Sequence, residues 1–411
     1  MAAMSAVARI VVVGAPPATP DPEIEALAAA LDGAGVPVRS RVVVDDDDAA
    51  LERAVADADL VIVLAGAGSS AGDAVRRVLA RAAGTRLALN ERMLAALTAA
   101  YGRRDRPLPR RAERLALLPQ GAVLWPMGAG DPAWAVETAG RAIVVLPRGG
   151  VPRALLDSHV VPLARARAAA RGAAVTRTLR VAGVGVDDVE ERLAPWLGRE
   201  GDVTVTVVPA EGEVWVRLRS RAAVTPVAAE QLGVVERAVA AALGEDCYGR
   251  DADSLEQVVG FALRDRGLTL AVAESCTGGL LGHRLTSVPG SSAWFERGVM
   301  VYSNRAKEEL LGVPESVLRA HGAVSAPCAE AMVRGIRRVS GAACGLAVTG
   351  IAGPDGGTPQ KPVGTVFIGV AIGDHAEARR FLFAGDRASV KWQSAQMALD
   401  MLRRGLGGGH T

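Results

Sequence analysis

Ala271 to Leu285 reads AVAESCTGGLLGHRL. Small apolar residues lead into Glu274 and Ser275, two glycines follow, and leucines then return at helical spacing. The pattern predicts strand, tight turn and helix, with Ser275 at the turn and the amides of Thr277, Gly278 and Gly279 opening the helix. Amides at such a helix start can hold a phosphate or stabilise an oxyanion. A serine before a glycine pair is also what an ordinary N-cap and turn look like.

Working outward, helix SLEQVVGFALRDRG (254–267) precedes this unit, with Ser254 and Gln257 in capping-box spacing. After it come strand-like GVMVYS (298–303), helices NRAKEELLG (304–312) and APCAEAMVRGIRRVS (326–340), and strand CGLAVTG (344–350). A glycine-rich loop, strands GTVFIGVAIG (364–373) and EARRFLFAG (377–385) and helix SVKWQSAQMALDMLRR (389–404) complete the segment. This order predicts an α/β sandwich over 254–411.

Upstream, ARIVVVG, EIEALAAALDGAG, VPVRSRVVV, DDAALERAVADA and DLVIVLAG alternate strand and helix patterns, which predicts parallel α/β layers over 1–172. A boundary is expected near Arg171 to Thr176. Between the two, TLRVAGVG, DDVEERLAPWL, TVTVVPAEGE, VWVRLRSRA and EQLGVVERAVAAAL predict a small α+β module over 176–246. Three domains are consistent with 411 residues.

A net charge of +2 and 3% aromatic residues remove the usual case for a nucleic-acid binder. No uncharged apolar run reaches the ~18 residues a membrane span needs, so no membrane partner and a cytoplasmic location are expected. Cys247, Cys276, Cys328 and Cys344 form no CxxC pair and the histidines no HExxH spacing, so neither disulfides nor a metal site is indicated. The acidic run Asp45 to Asp48 reads as a solvated helix start. Almost all basic charge is arginine, and the lysines are Lys307, Lys361 and Lys391. An amine can give up its proton where guanidinium cannot, which singles out Lys307.

The motifs ESCTGG, SSAWFERG, YSNRAK, LGV, HGAVS, VTGIAGPDGG, KPVGTV and GDR occur in this order across about 150 residues. In this the segment resembles the C-terminal deamidase domain of the CinA family, whose members hydrolyse the carboxamide of nicotinamide mononucleotide. The resemblance implies Ser275 as nucleophile with Tyr302 and Lys307 as its catalytic partners, and no cofactor. The chemistry is coherent, since a partly desolvated lysine can be neutral enough to take the serine's proton. Tyr302 and Lys307 are five apart across a strand-to-helix junction, so a turn rather than a helical face must bring them together.

In the same family context, Thr277, Gly278, Gly279, Asn304, Thr349, Gly350, Ile351, Ala352, Gly353 and Pro354 are expected to line the pocket of a pyridine nucleotide. Arg387 is a candidate phosphate contact, and an exposed ion-pairing arginine is the competing reading. Lys391 stands where the family often has arginine. Cys276 is a rival nucleophile, although a small buried thiol is the commoner outcome.

Residues 1–172 resemble the molybdopterin-binding-like domain of full-length CinA proteins, where some members hydrolyse ADP-ribose. The resemblance is weaker here. Gly72 stands at the first aspartate of the acidic loop, leaving Asp73, and Ala154 stands at a glutamate position. A catalytically impaired front domain is therefore expected, and a homodimer. The alternative function is a non-catalytic nucleotide sensor, against which an intact Ser/Tyr/Lys set argues.

Overall fold

The computed structural model describes residues 6–14, 21–45, 47–65, 70–103, 105–125, 133–138, 140–148, 151–170, 176–198, 201–220 and 226–407. Asp46, residues 66–69 and 149–150 of the front-domain loops, and 171–175 at the expected boundary lie outside these. The chain divides into two compact units, one centred on 1–177 and the other on 178–199, 205–217 and 236–411.

The first unit is built on a six-stranded sheet in the order Val38–Val44, Ala8–Val13, Leu60–Leu64, Ala142–Leu146, Ala133–Glu137, Val123–Trp125. The first four strands are parallel, as the βαβ alternation predicts, and Ala133–Glu137 pairs antiparallel with its neighbour on each side. Leu60–Leu64 is buried throughout, which is why LVIVL shows no polar alternation. Two apolar cores flank the sheet: Ile10, Ile62 and Val144 face one, and Val11, Val61 and Val145 the other.

The small module carries strands Thr176–Val181, Val203–Ala210, Glu213–Ser220 and Cys247–Arg250 in the sheet order second, third, first, fourth. Its helices are Val186–Leu193 and Pro226–Leu243.

The C-terminal domain has a five-stranded sheet ordered Phe295–Met300, Leu270–Glu274, Cys344–Gly350, Thr365–Ile372, His375–Leu382. The first three strands are parallel and the last two join antiparallel. Leu270 and Val272 enter one core, with helices Leu255–Asp265, Leu280–Thr286 and Arg387–Gly407. Ala271 and Ala273 enter the other, with Asn304–Leu311, Glu315–His321 and Ala326–Ser340. The strand therefore has period 2 with apolar residues on both faces, and the domain is a three-layer α/β sandwich. Burying a leucine such as Leu270 or Leu281 contributes about 1.5–3 kcal/mol.

Two local differences bear on the site. The strand expected at 298–303 runs Phe295–Met300, so Val301, Tyr302 and Ser303 are the link to the next helix. A further helix, Glu315–His321, stands between the two expected ones and ends at Gly322.

Candidate active site

Strand Leu270–Glu274 delivers Ser275 to the C-terminal edge of the sheet, where the backbone turns sharply. Gly278 and Gly279 have φ of +60° and +92°, backbone that a side chain would strain. Glu274, almost fully buried, folds back under this turn. Its carboxylate accepts from the amides of Gly279 at 3.0 Å, Leu281 at 3.1 Å and Gly282 at 2.7 Å. An anion at a helix N-terminus with charge-assisted bonds of about 1.5–3 kcal/mol each makes the turn rigid.

That cap also decides where the amides of the turn point. Gly279, expected to face a ligand, gives its N–H to Glu274, and Gly278 gives its N–H to the Ser275 carbonyl at 3.2 Å. Cys276 and Thr277 give their N–H groups to no oxygen among the described residues, and those groups lie against the Cys276 sulfur. The Thr277 hydroxyl is buried beside them without a partner among the described residues. In the sequence Glu274 carries no signal of this capping role, since a carboxylate at a strand end looks like any solvated residue.

Lys307 projects from the first turns of helix Asn304–Leu311, which Ser303 caps by accepting from the Ala306 amide at 3.0 Å. The lysine is 1% exposed, and its Nζ stands 3.1 Å from Ser275 Oγ, 2.8 Å from the Val301 carbonyl and 3.3 Å from the Tyr302 carbonyl. Burial lowers its pKa from 10.5, opposed by the neighbouring Cys328 and Cys276. No carboxylate among the described residues pairs with it. Two carbonyls that hold two N–H groups leave the lone pair of a neutral amine for the serine hydroxyl.

Tyr302 faces the other way. Its ring is exposed and its hydroxyl accepts from Arg387 Nη2 at 3.2 Å, while Arg387 Nη1 donates to the Gly353 carbonyl at 2.8 Å. Arg387 thus ties the Tyr302 link, the Gly353 loop and the start of the last helix together. Four residues on, Lys391 brings its Nζ over the serine turn, 3.6 Å from where a Cβ on Gly278 would sit. A side chain at that glycine would meet the cation.

The loop after strand Cys344–Gly350 is anchored by its own bonds. Thr349 Oγ1 donates to the Ala323 carbonyl at 2.8 Å, Ile351 N–H to the Thr365 carbonyl at 2.9 Å, and Gly364 N–H to the Ile351 carbonyl at 2.7 Å. Gly350 lies so close to Val366 that a Cβ would come within 2.7 Å of its side chain. Ala352 is buried and the Gly353–Pro354 bond is cis. These residues hold the loop's shape, and Gly353 is the one bonded to Arg387. Asn304, exposed at the first position of its helix, stands beyond the Ser303 cap.

Cys276 lies in the apolar core under the turn, and burial pushes its thiol up to about 12. A thiol that stays protonated is a poor nucleophile. Among the described residues no three of His, Cys, Asp and Glu gather as metal ligands.

In the front unit Asp73, in the first turn of helix Ser70–Ala82, is paired with Arg76 and with Arg114 at 2.9 Å. Arg76 is itself 5% exposed. Gly72 precedes Asp73 on the same helix, and Ala154 is exposed in the short helix Arg153–Leu155. The Asp73 carboxylate is thus bound by guanidinium groups.

Residues 252–406 match the family profile "CinA C-terminal domain", 10–165 "Probable molybdopterin binding domain" and 176–249 "Damage-inducible protein CinA KH domain". A "CinA-like protein" of Geobacter sulfurreducens is 40% identical over 390 residues, covering 92% of this chain and 94% of the relative. A second "CinA-like protein", from a Synechococcus, is 39% identical over 381 residues and covers 90% of each. The crystal structure of the competence damage-inducible protein A (ComA) from Klebsiella pneumoniae is 37% identical, with a TM-score of 0.37. It spans 38% of this chain and 97% of that one. No helix among the described residues is long and apolar enough to cross a membrane.

Proposed function

The chain belongs to the CinA family, with a molybdopterin-binding-like front domain, a KH-like middle module and a C-terminal CinA domain, and from that premise we propose that it hydrolyses the carboxamide of nicotinamide mononucleotide to nicotinate mononucleotide and ammonia. The reading is carried by one observation, a buried lysine with a lowered pKa 3.1 Å from a serine hydroxyl at a rigid turn. Ser275 Oγ attacks the carboxamide carbon as its proton passes to neutral Lys307. As the C–N bond breaks, Lys307 returns the proton to the leaving nitrogen and ammonia departs. Water then attacks the acyl-serine, Lys307 taking its proton and handing it to Ser275 Oγ, and the carboxylate is released. No cofactor enters these steps.

Arg387 and Lys391 are the cations available to the nucleotide's phosphate, and Tyr302 orients Arg387. The front domain acts as a scaffold without pyrophosphatase activity, and the protein works as a homodimer in pyridine nucleotide recycling in the cytoplasm. The test is ammonia release from nicotinamide mononucleotide by the full chain and by Ser275→Ala. Release by wild type that vanishes in the variant is expected. Tight nucleotide binding with no release from any nicotinamide nucleotide would replace this reading with a sensor.

A further inference from the structure

The tip of the hairpin between Val203–Ala210 and Glu213–Ser220 meets the last helix just beyond Lys391. Trp392 Nε1 donates to the Glu211 carbonyl at 3.0 Å, and Gln396 Nε2 to Glu213 Oε2 at 3.2 Å. Gly212, at φ +76°, lets the tip approach so closely that a Cβ there would lie 3.3 Å from Gln396 Cβ. Glu213 is also the acceptor for Arg180 at 2.6 Å, for Trp215 Nε1 and for the Tyr248 hydroxyl, so it is held from within the module.

The contact continues toward the nucleophile. Gln396 Oε1 accepts from Arg284 Nη2 at 2.6 Å, and the same nitrogen donates to Glu256 Oε2 at 2.6 Å. Arg284 is 5% exposed, with its guanidinium 4.4 Å from the centre of the Trp392 ring. It belongs to helix Leu280–Thr286, which starts at the Glu274-capped turn after Ser275. One hairpin therefore reaches both helices that border the serine turn, through Gln396 and Arg284 to one and through Trp392 to the other.

We propose that the middle module is a brace for the amidase site: its Glu211–Glu213 tip sets the position of the first turns of the last helix, and so of Arg387 and Lys391 against Ser275. Glu213, Trp392 and Gln396 are positioning residues, since none touches Ser275 or Lys307. The proposal rests on the reading that these two cations take the substrate's phosphate. Under it, loosening the tip weakens binding and spares the Ser275–Lys307 chemistry.

The test uses the full chain with Trp392→Phe, which keeps the ring beneath Arg284 but loses the bond to Glu211, and Glu213→Gln as a second variant. Losing one such bond predicts a KM for nicotinamide mononucleotide raised about 3- to 10-fold with kcat retained. Amide hydrogen exchange across residues 387–396 should quicken by a similar factor. Should wild type release no ammonia, the functional reading falls, and exchange alone still decides the brace. Unchanged exchange and KM in both variants, even with a lowered Tm, would reduce these residues to ordinary packing and overturn it.

Discussion

Tyr302 accepts from Arg387 through its hydroxyl, at 3.2 Å, and from Lys307 through its backbone carbonyl, at 3.3 Å. The side chain thus holds Arg387 and the backbone holds Lys307, the cation and the base of the proposed reaction. Tyr302→Phe removes only the first contact. We expect KM to rise several-fold and kcat to stay within about threefold of wild type. A hydroxyl acting as a proton relay would cost about 10²-fold or more in kcat, so steady-state kinetics separates the two roles.

Burial lowers the Lys307 pKa below 10.5, and the sign of its effect on stability follows. Between the lowered folded value and 10.5 the unfolded chain binds more protons, so unfolding free energy climbs with pH across that window. Below the window the cost of burying the ammonium is fully present. Lys307→Met should abolish activity yet raise the melting temperature of the C-terminal domain by about 2–4 °C near neutral pH. The gain should shrink as pH approaches 10.5, and a Tm well below wild type at every pH would contradict it. If the neutral amine is the base, kcat/KM should rise with pH through the lysine's folded pKa.

Asp73 makes a different prediction for the front domain. A carboxylate already bound by Arg76 and Arg114 would have to leave two guanidinium groups to take a divalent ion. Pure protein should therefore release no AMP from ADP-ribose with Mg²⁺ or Mn²⁺. Robust metal-dependent release would show that the domain hydrolyses ADP-ribose despite Gly72 and Ala154.

The alternation of apolar runs and helical patterns was enough to read α/β layering in both large domains, because strands such as LVIVL are buried on both faces. Strands Val123–Trp125 and Ala133–Glu137 escaped, being short and lacking a distinctive alternation. ESCTGG and YSNRAK single out Ser275 and Lys307, and the fold brings these two residues, 32 positions apart, to 3.1 Å. What sequence could not supply was direction. The Glu274 carboxylate turning back under the helix, the Tyr302 hydroxyl turning away from Lys307 and Lys391 reaching Gly278 all depend on how elements pack. The hairpin contact at Trp392 was equally hidden, since its partner, Glu211, lies 181 residues earlier.

The contact between Lys307 and Ser275 makes the sharpest demand. If the side chain is needed only as a cation, arginine can replace it; if it is the base, arginine cannot, since guanidinium stays protonated near neutral pH. The site adds a second obstacle, because Lys307 is 1% exposed and its Nζ is fitted to two carbonyls and one hydroxyl. Lys307→Arg should retain nucleotide binding, which the proposed reaction assigns to Arg387 and Lys391, and lose about 10²–10⁴-fold in kcat. Ser275→Ala should be at least as severe, and the double variant little worse than either, since nucleophile and base act as one unit. Calorimetric binding of nicotinate mononucleotide beside an ammonia assay measures both quantities. Near-normal turnover in Lys307→Arg with unchanged affinity would remove lysine as the base and shift the proton transfer to Tyr302 or a bound water.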